Sequence, residues 1–276
     1  MLILGISASA FLLWVVQVVS YVASLKKGYN FFLTKFISAR PLLAMAWRLG
    51  RNKDAKELGS GRSKPDMMDK LALKMAKELG PSPKAIDVMF YGSSTFTFWP
   101  NMLADLSMPE GLSVSNHAFG GSRLQHTIDH FDLLVTPFAP KVLVYFNGSN
   151  DIASGATAEH VAGKIAEIDS MMKSNFPKSC LVYLGVIASP MHCSYGAKRI
   201  EAIRHANELV FKQFKGDPTR FVIDAVHEDP RIAEPVSLLA DAHHLNNHGH
   251  SLLGKVMRPI ILSAYEHWKS VANEQR

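Results

Sequence analysis

Five short apolar runs alternate with longer amphipathic stretches from residue 85 onward, and no other sequence feature constrains the fold as much. The runs occupy residues 86–91, 112–118, 141–147, 180–187 and 220–225. Strands that are buried on both faces form continuous apolar runs, and parallel strands need long crossover connections, usually helices. The intervening stretches predict helices over 122–133, 158–175, 198–214 and 247–272. The sequence therefore predicts a three-layer α/β/α domain with a five-stranded parallel sheet.

The first residues predict a membrane anchor. Residues 1–24 carry no charged side chain and are long enough to cross about 30 Å of hydrocarbon as a helix. A cleaved signal peptide is the alternative, but that class has a basic first region and a shorter apolar centre. The sequence thus predicts an N-terminal transmembrane helix over residues 1–25.

The positive charge of the chain is concentrated beside this apolar segment. Residues 1–64 hold ten lysines and arginines and two carboxylates, a net charge of +8, whereas the whole chain carries +6, which leaves −2 for the remainder. This distribution does not support a nucleic-acid groove on the main domain and favours contact with an anionic membrane surface.

We expect three segments: the anchor, a basic juxtamembrane and amphipathic segment with a linker over residues 26–84, and a catalytic-sized domain over residues 85–276. A helix is predicted near residues 67–79, before the domain starts. Lysine and arginine follow the anchor and none precede it, so the positive-inside rule predicts a cytoplasmic domain. An exported domain is the alternative, because long domains can be translocated despite their flanking charges.

Four loops of chemical interest follow the predicted strands or lie near the C-terminus. In open α/β sheets, ligands bind beyond the carboxyl ends of the strands. The loops are Gly92-Ser93-Ser94, Gly120-Gly121, Gly148-Ser149-Asn150-Asp151 and Asp241-Ala242-His243-His244-Leu245-Asn246. Each alone is typical of an ordinary turn or helix cap. Together they contain a serine, a histidine, a carboxylate and hydrogen-bond donors, the set of groups that acyl transfer needs.

The chemistry explains why these residue types belong together. A serine hydroxyl is a weak nucleophile until a base accepts its proton, and an imidazole within hydrogen-bond reach can do so. A carboxylate on the second ring nitrogen fixes the tautomer and stabilises the imidazolium. The spacing of Asp241 and His244 lets one turn supply both groups. No cofactor is required.

The two cysteines, Cys180 and Cys193, lack the paired spacing of a zinc site, and whether they form a disulfide stays open.

The four loops, in this order, resemble the four sequence blocks of the SGNH hydrolases, the GDSL-type esterase and lipase superfamily. The resemblance spans about residues 85–270 and implies a flavodoxin-like fold. In that family the nucleophile is the third residue of a Gly-Asp-Ser turn, which assigns the role to Ser94. Ser93 stands where the family usually has aspartate, so the chain is similar to a Gly-Ser-Ser branch of the superfamily.

The resemblance also implies the other roles at the site. His244 would act as the base and Asp241 as its partner. The backbone N–H groups of Ser94 and Gly121 and the side-chain amide of Asn150 would form the oxyanion hole. The implied activity is that of a serine esterase, and with the anchor predicted from residues 1–25 the function expected is a membrane-anchored esterase that hydrolyses lipid acyl or carbohydrate acyl esters. Two alternatives remain: an O-acyltransferase with the same residues, and a non-catalytic binding module. The oligomeric state stays open.

The aromatic residues after the nucleophile fit a buried helix face. Phe96, Phe98 and Trp99 are therefore expected in the core, with an acyl-binding wall as the alternative. The loop over residues 190–195, after the fourth strand, occupies a position open to substrate, but none of its residues identifies a ligand.

The histidines around His244 raise the question of a metal. His244 and His248 stand four residues apart, as on one helix face, but a third ligand is not evident. His244 is better explained as the base for the serine. The sequence predicts no metal site and places His243, His248 and His250 at a solvated helix start.

Overall fold

The computed structural model describes residues 67–80, 85–194 and 196–273, apart from the side chains of Cys193 and Ser194. The predicted transmembrane helix over residues 1–25, and the segment from 26 to 66, lie outside the described residues. Within the described ranges, no helix combines the length and the apolar character that a membrane span requires.

The sheet has five parallel strands. They are β1 (Val88–Gly92), β2 (Val114–Asn116), β3 (Val142–Phe146), β4 (Cys180–Leu184) and β5 (Arg220–Ile223). Their spatial order is β2-β1-β3-β4-β5. The chain therefore reverses its direction of winding between β1 and β3, and the carboxyl ends of these two strands are the place where such folds bind ligands. All five predicted strands are confirmed.

Helices connect and cover the strands. They are α1 (Met67–Leu79), α2 (Ser94–Thr97), α3 (Met102–Leu106), α4 (Leu124–Asp129), α5 (Phe131–Leu134), α6 (Ser149–Ala153), α7 (Ala158–Asn175), α8 (Pro190–Ser194), α9 (Ala197–Phe214), α10 (Ala225–Glu228) and α11 (Asn247–Asn273). Short 3-10 turns occupy Thr136–Phe138, Pro230–Ala233 and Pro235–Ser237. The predicted helix over 122–133 is divided at His130 into α4 and α5, whereas the predicted helices over 158–175, 198–214 and 247–272 each form one helix.

Alternate side chains of the strands enter two separate apolar cores. Tyr91, Tyr145 and Leu181 point to the core that α7 and α9 cover. Phe90 and Val144 point to the other core, which α3 and α11 cover. Because every residue of β1, β3 and β4 is buried, the runs read as continuously apolar. The predicted three-layer α/β/α architecture is confirmed.

Helix α1 packs on this domain although it precedes the predicted domain boundary at residue 85. Met68 and Ala72 are buried in the same core as α7 and α9. The carboxylate of Asp69 lies 3.0 Å from Nε2 of His130 at the start of α5. The α/β unit therefore includes α1 as a packed element.

Gly92 allows β1 and β3 to remain paired up to the first candidate loop. Its φ is +138°, and a Cβ at this position would lie 1.8 Å from the carbonyl oxygen of Phe146, closer than atoms can approach. The next residue, Ser93, donates its backbone N–H to that same oxygen at 3.1 Å. A glycine is thus required where the chain leaves the sheet and turns into α2.

Candidate active site

Ser94 lies at the carboxyl end of β1, as the first residue of α2, and is almost completely buried. The His244 ring approaches it from the loop before α11. Nε2 of His244 is 2.9 Å from Oγ of Ser94, and Nδ1 is 2.5 Å from Oδ2 of Asp241. The structure thus brings together three side chains that are separated by up to 150 positions in the chain.

The partners of His244 define its tautomer. An ionised carboxylate can only accept, so Nδ1 of the neutral ring carries the proton and donates it to Asp241. Nε2 is then free to accept the hydrogen bond from the Ser94 hydroxyl. This is the arrangement in which an imidazole can remove a proton from a serine.

Asp241 is held as an anion. Burial raises its pKa, but the hydrogen bond from His244 and those from the backbone N–H groups of His243 and His244 outweigh burial, and the pKa of Asp241 lies below its usual value. The same two N–H bonds fix the turn that carries both side chains. Asp241 therefore orients His244 and stabilises a positive charge on it.

The two backbone donors predicted for an oxyanion hole lie on facing loops. Within the described residues, neither the N–H of Ser94 nor that of Gly121 donates to another protein group. Gly121 is exposed and has a φ of +82°, which an L residue rarely adopts. Its loop is fixed to β1, because the Ser122 hydroxyl donates to the Gly92 carbonyl at 3.0 Å.

The Asn150 amide lies between the two loops. Its Nδ2 donates to Oγ of Ser93 and to the carbonyl of Ser122, both at 3.0 Å. The amide thus contacts the residue before Ser94 and the residue after Gly121 in the chain. Its hydrogens are directed to these protein groups in this structure. Ser93, buried and at the position of the family aspartate, accepts one of them.

The aromatic residues after Ser94 divide between the core and the site. Phe96 and Trp99 are buried in the core, as expected. The expectation was wrong for Phe98, which is 49% exposed, because the tight turn of α2 directs it away from the core. Its ring stands edge-on to the His244 imidazole, with 5.0 Å between the centroids.

The histidines near His244 have different environments. His248 is exposed, but His250 is buried, so the predicted solvated position was wrong for His250. Its ring stacks on Trp99, and its Nε2 donates to the Thr95 carbonyl beside the nucleophile at 3.1 Å. Burial lowers the pKa of His250 to about 4, and the ring is therefore neutral near pH 7.

A buried serine–histidine network, which the sequence did not reveal, lies next to His244. The backbone N–H of Ser189 donates to Nδ1 of His192, so the other nitrogen, Nε2, carries the proton and donates to Ser149 Oγ at 3.1 Å. The Ser189 hydroxyl also lies 2.9 Å from Nδ1 of His243, whose ring is 4.6 Å from that of His244. The only sequence signal was the position of this loop after β4.

The network joins three of the loops at the carboxyl edge of the sheet. The backbone N–H of Met191 donates to the Ala242 carbonyl at 3.1 Å, which connects the loop after β4 directly to the loop of Asp241 and His244. His192 is buried, and burial lowers its pKa to about 4.

Cys180, in β4, is a free thiol whose pKa burial raises to about 11.

Known proteins resemble this chain in sequence or in fold. The chain is 26% identical over 184 residues to platelet-activating factor acetylhydrolase IB subunit alpha1 of Homo sapiens, covering 65% of this chain and 77% of the human protein. A GDSL-like lipase from Bacteroides thetaiotaomicron has a similar fold, with a TM-score of 0.57, 17% identity and 72% of this chain and 98% of that one covered. A carbohydrate esterase family 3 protein from Talaromyces cellulolyticus also has a similar fold, with a TM-score of 0.54 and 14% identity. That comparison covers 66% of this chain and 98% of the Talaromyces protein.

A parallel sheet in this order, with serine, histidine and aspartate side chains meeting at its carboxyl edge, defines a class of α/β hydrolytic enzymes. The model of the GDSL-like lipase/acylhydrolase family matches residues 82–252, more than half of the chain. The chain belongs to this family and is a carboxylic ester hydrolase, in agreement with the resemblance of its four sequence blocks.

Proposed function

We propose that the chain is a serine esterase in which Ser94, His244 and Asp241 form the catalytic triad. The observation that carries this proposal is the His244 ring, which contacts the Ser94 hydroxyl through Nε2 and the Asp241 carboxylate through Nδ1. Ser94 Oγ attacks the ester carbonyl while His244 accepts its proton. His244 then donates that proton to the departing alcohol, and an acyl-enzyme remains.

Water completes the reaction through the same groups. His244 removes a proton from a water molecule that attacks the acyl carbon, and the proton returns to Ser94 as the acid departs. The N–H groups of Ser94 and Gly121 donate to the oxyanion in both steps, and the Asn150 amide supplies the third donor once it turns from Ser93. The acetylhydrolase name of the human relative and the carbohydrate esterase among the structural neighbours support an acyl ester as substrate.

A serine-directed fluorophosphonate and chromogenic esters test this proposal. We expect the wild-type protein and the Ser93→Ala variant to be labelled, and Ser94→Ala to be neither labelled nor active. Ser170→Ala, a change on the exposed face of α7, serves as the control for activity. Labelling of Ser94→Ala at the wild-type rate, or ester turnover by it, would contradict the assignment. Folded wild-type protein that is neither labelled nor active would favour the binding module.

An added alcohol acceptor distinguishes hydrolysis from acyl transfer. The proposed esterase releases the free acid in the presence and absence of the acceptor. Formation of a new ester as the main product, dependent on Ser94, would instead identify an O-acyltransferase.

We also propose that the enzyme is anchored to a membrane by residues 1–25, with its domain on the cytoplasmic side. The uncharged first 24 residues and the net charge of +8 over residues 1–64 support this proposal. Protease treatment of intact and of opened cells tests it. We expect the domain to be cleaved only in opened cells and to sediment with membranes after a high-salt wash. Cleavage in intact cells would place the domain outside.

A further inference from the structure

Two apolar side chains flank the glycine turn beside the nucleophile. Cζ of Phe98 lies 3.8 Å from the position that a Cβ on Gly120 would take, and the methyl group of Met68 lies 3.6 Å from the corresponding position on Gly121. Phe98 also contacts the His244 ring. The two side chains therefore form an apolar rim, Phe98 and Met68, directly beside the groups that would react.

Helix α1 extends this rim across the surface. Met67 and Leu71, which stand one turn apart on α1 with Met68 next to Met67 in the chain, are 69% and 37% exposed. An exposed apolar strip, Met67 and Leu71, on the helix that touches the Gly121 turn suits an aliphatic chain, which gains by leaving water. It offers no hydrogen bonds to a sugar. Helix α1 lies outside the residues that match the family model.

We propose that α1 is a wall of the substrate site, where Met68 and Phe98 bind the first carbons of an aliphatic chain of the ester and Met67 and Leu71 bind its continuation. The inference rests on the proposed esterase function and narrows the substrate to lipid-like esters. Each methylene that the strip buries favours binding about fourfold. Because the strip is open, preference rises with chain length and reaches a plateau rather than a sharp limit.

Two ester series measure this preference and show which side of the ester carries the chain. One series holds p-nitrophenol constant and lengthens the acyl group from acetate to dodecanoate, and the other holds acetate constant and lengthens the alcohol. In the series that lengthens the side of the ester bound by the strip, we expect kcat/KM to rise with chain length, mainly because KM falls. Phe98→Ala should reduce the ratio of the eight-carbon to the two-carbon substrate about 10-fold, and Met68→Gln should reduce it in the same direction.

Leu73→Ala is the matched control. Leu73 is 47% exposed on the same helix but lies about 140° around the axis from Met68, so its removal should leave the chain-length ratio unchanged. Flat ratios in both wild-type series, or equal effects of Phe98→Ala on short and long substrates, would overturn the inference while leaving Ser94-dependent hydrolysis intact. If Phe98→Ala and Met68→Gln left the ratio of the eight-carbon to the two-carbon substrate unchanged but weakened binding to anionic vesicles, the strip would be assigned to membrane contact instead.

A binding measurement separates this inference from the catalytic proposal. In Ser94→Ala protein, calorimetry with p-nitrophenyl octanoate and acetate, and with octyl acetate and methyl acetate, needs no turnover. We expect tighter binding of the longer ester in the series that carries the chain, and a loss of that difference on adding Phe98→Ala. Equal affinities within both pairs would refute the aliphatic subsite whatever the outcome of the activity assays.

Discussion

At the scale of single residues, the position of a few donors and acceptors distinguishes Ser94 from its neighbour Ser93. Both serines are buried, but only Ser94 lies against an imidazole, whereas Ser93 accepts from the Asn150 amide. The serine at position 93 offers a neutral acceptor where the family usually has a carboxylate. The Asn150 amide therefore donates to a neutral oxygen at Ser93, and redirecting that hydrogen costs one neutral hydrogen bond.

Replacing Asn150 by alanine tests whether its amide serves the reaction. We expect kcat to fall about 100-fold with little change in KM, because a donor to the oxyanion acts mainly in the transition state. Asn175→Ala, which removes an exposed amide at the end of α7, is the control. Steady-state kinetics and thermal unfolding decide the result. If kcat of Asn150→Ala fell by less than about threefold while its melting temperature decreased, Asn150 would be only a structural link between Ser93 and Ser122.

At the scale of elements, the serine–histidine network shows how loops from distant parts of the chain are held in register. His192 from α8 connects Ser149 of α6 to Ser189, and Ser189 in turn contacts His243 beside the base. The Ser149 hydroxyl and the Ser189 backbone N–H are buried, so removing His192 deprives each of its hydrogen bond to the ring, at about 1–3 kcal/mol each. The network therefore stabilises the loop that carries His244.

The variant His192→Phe tests this role. It keeps an aromatic ring but removes both nitrogens, and we expect kcat to fall about 10-fold and the free energy of unfolding to fall by about 3 kcal/mol. His192→Gln retains a donor and an acceptor and should recover part of kcat. His205→Phe, on the partly exposed surface of α9, is the control. Full activity of His192→Phe would mean that the loop is held by backbone contacts such as Met191 to Ala242.

The elements also show where sequence reasoning works and where it stops. Strands β1, β3 and β4 are buried on both faces, so local composition was enough to predict them. The loops around Ser94 and His244 were predicted because a known family repeats them in order. The docking of α1 and the burial of His192 depend on contacts between segments far apart in sequence, and no periodicity within α1 or α8 reports which partner a face meets.

At the scale of the whole molecule, neutral buried histidines make the fold sensitive to acid. Burial lowers the pKa of both His192 and His250 from 6.5 to about 4, and burial also lowers the pKa of His117. Between pH 6.5 and 4 the unfolded chain binds protons at these positions and the folded chain does not. Stability therefore rises with pH in this range, and the contribution is complete above pH 6.5 and lost as the pH falls toward 4.

The size of this effect can be measured by urea unfolding at pH 8 and pH 5. The gap between 6.5 and about 4 corresponds to about 3 kcal/mol per histidine in full, and to about 2 kcal/mol at pH 5. We expect His250→Gln, whose amide can still donate to the Thr95 carbonyl, to reduce the difference between the two pH values by about 2 kcal/mol. His192→Gln should do the same.

His248→Gln provides the control for this measurement, because His248 is exposed in the same helix as His250. Because this side chain is exposed, its replacement should leave the difference in unfolding free energy between pH 8 and pH 5 as in the wild type. If His250→Gln and His248→Gln reduced the difference equally, the acid sensitivity would follow from overall charge repulsion. If only His250→Gln and His192→Gln reduced it, the acid sensitivity would arise at the two buried rings, His250 beside the nucleophile turn and His192 beside the His244 loop.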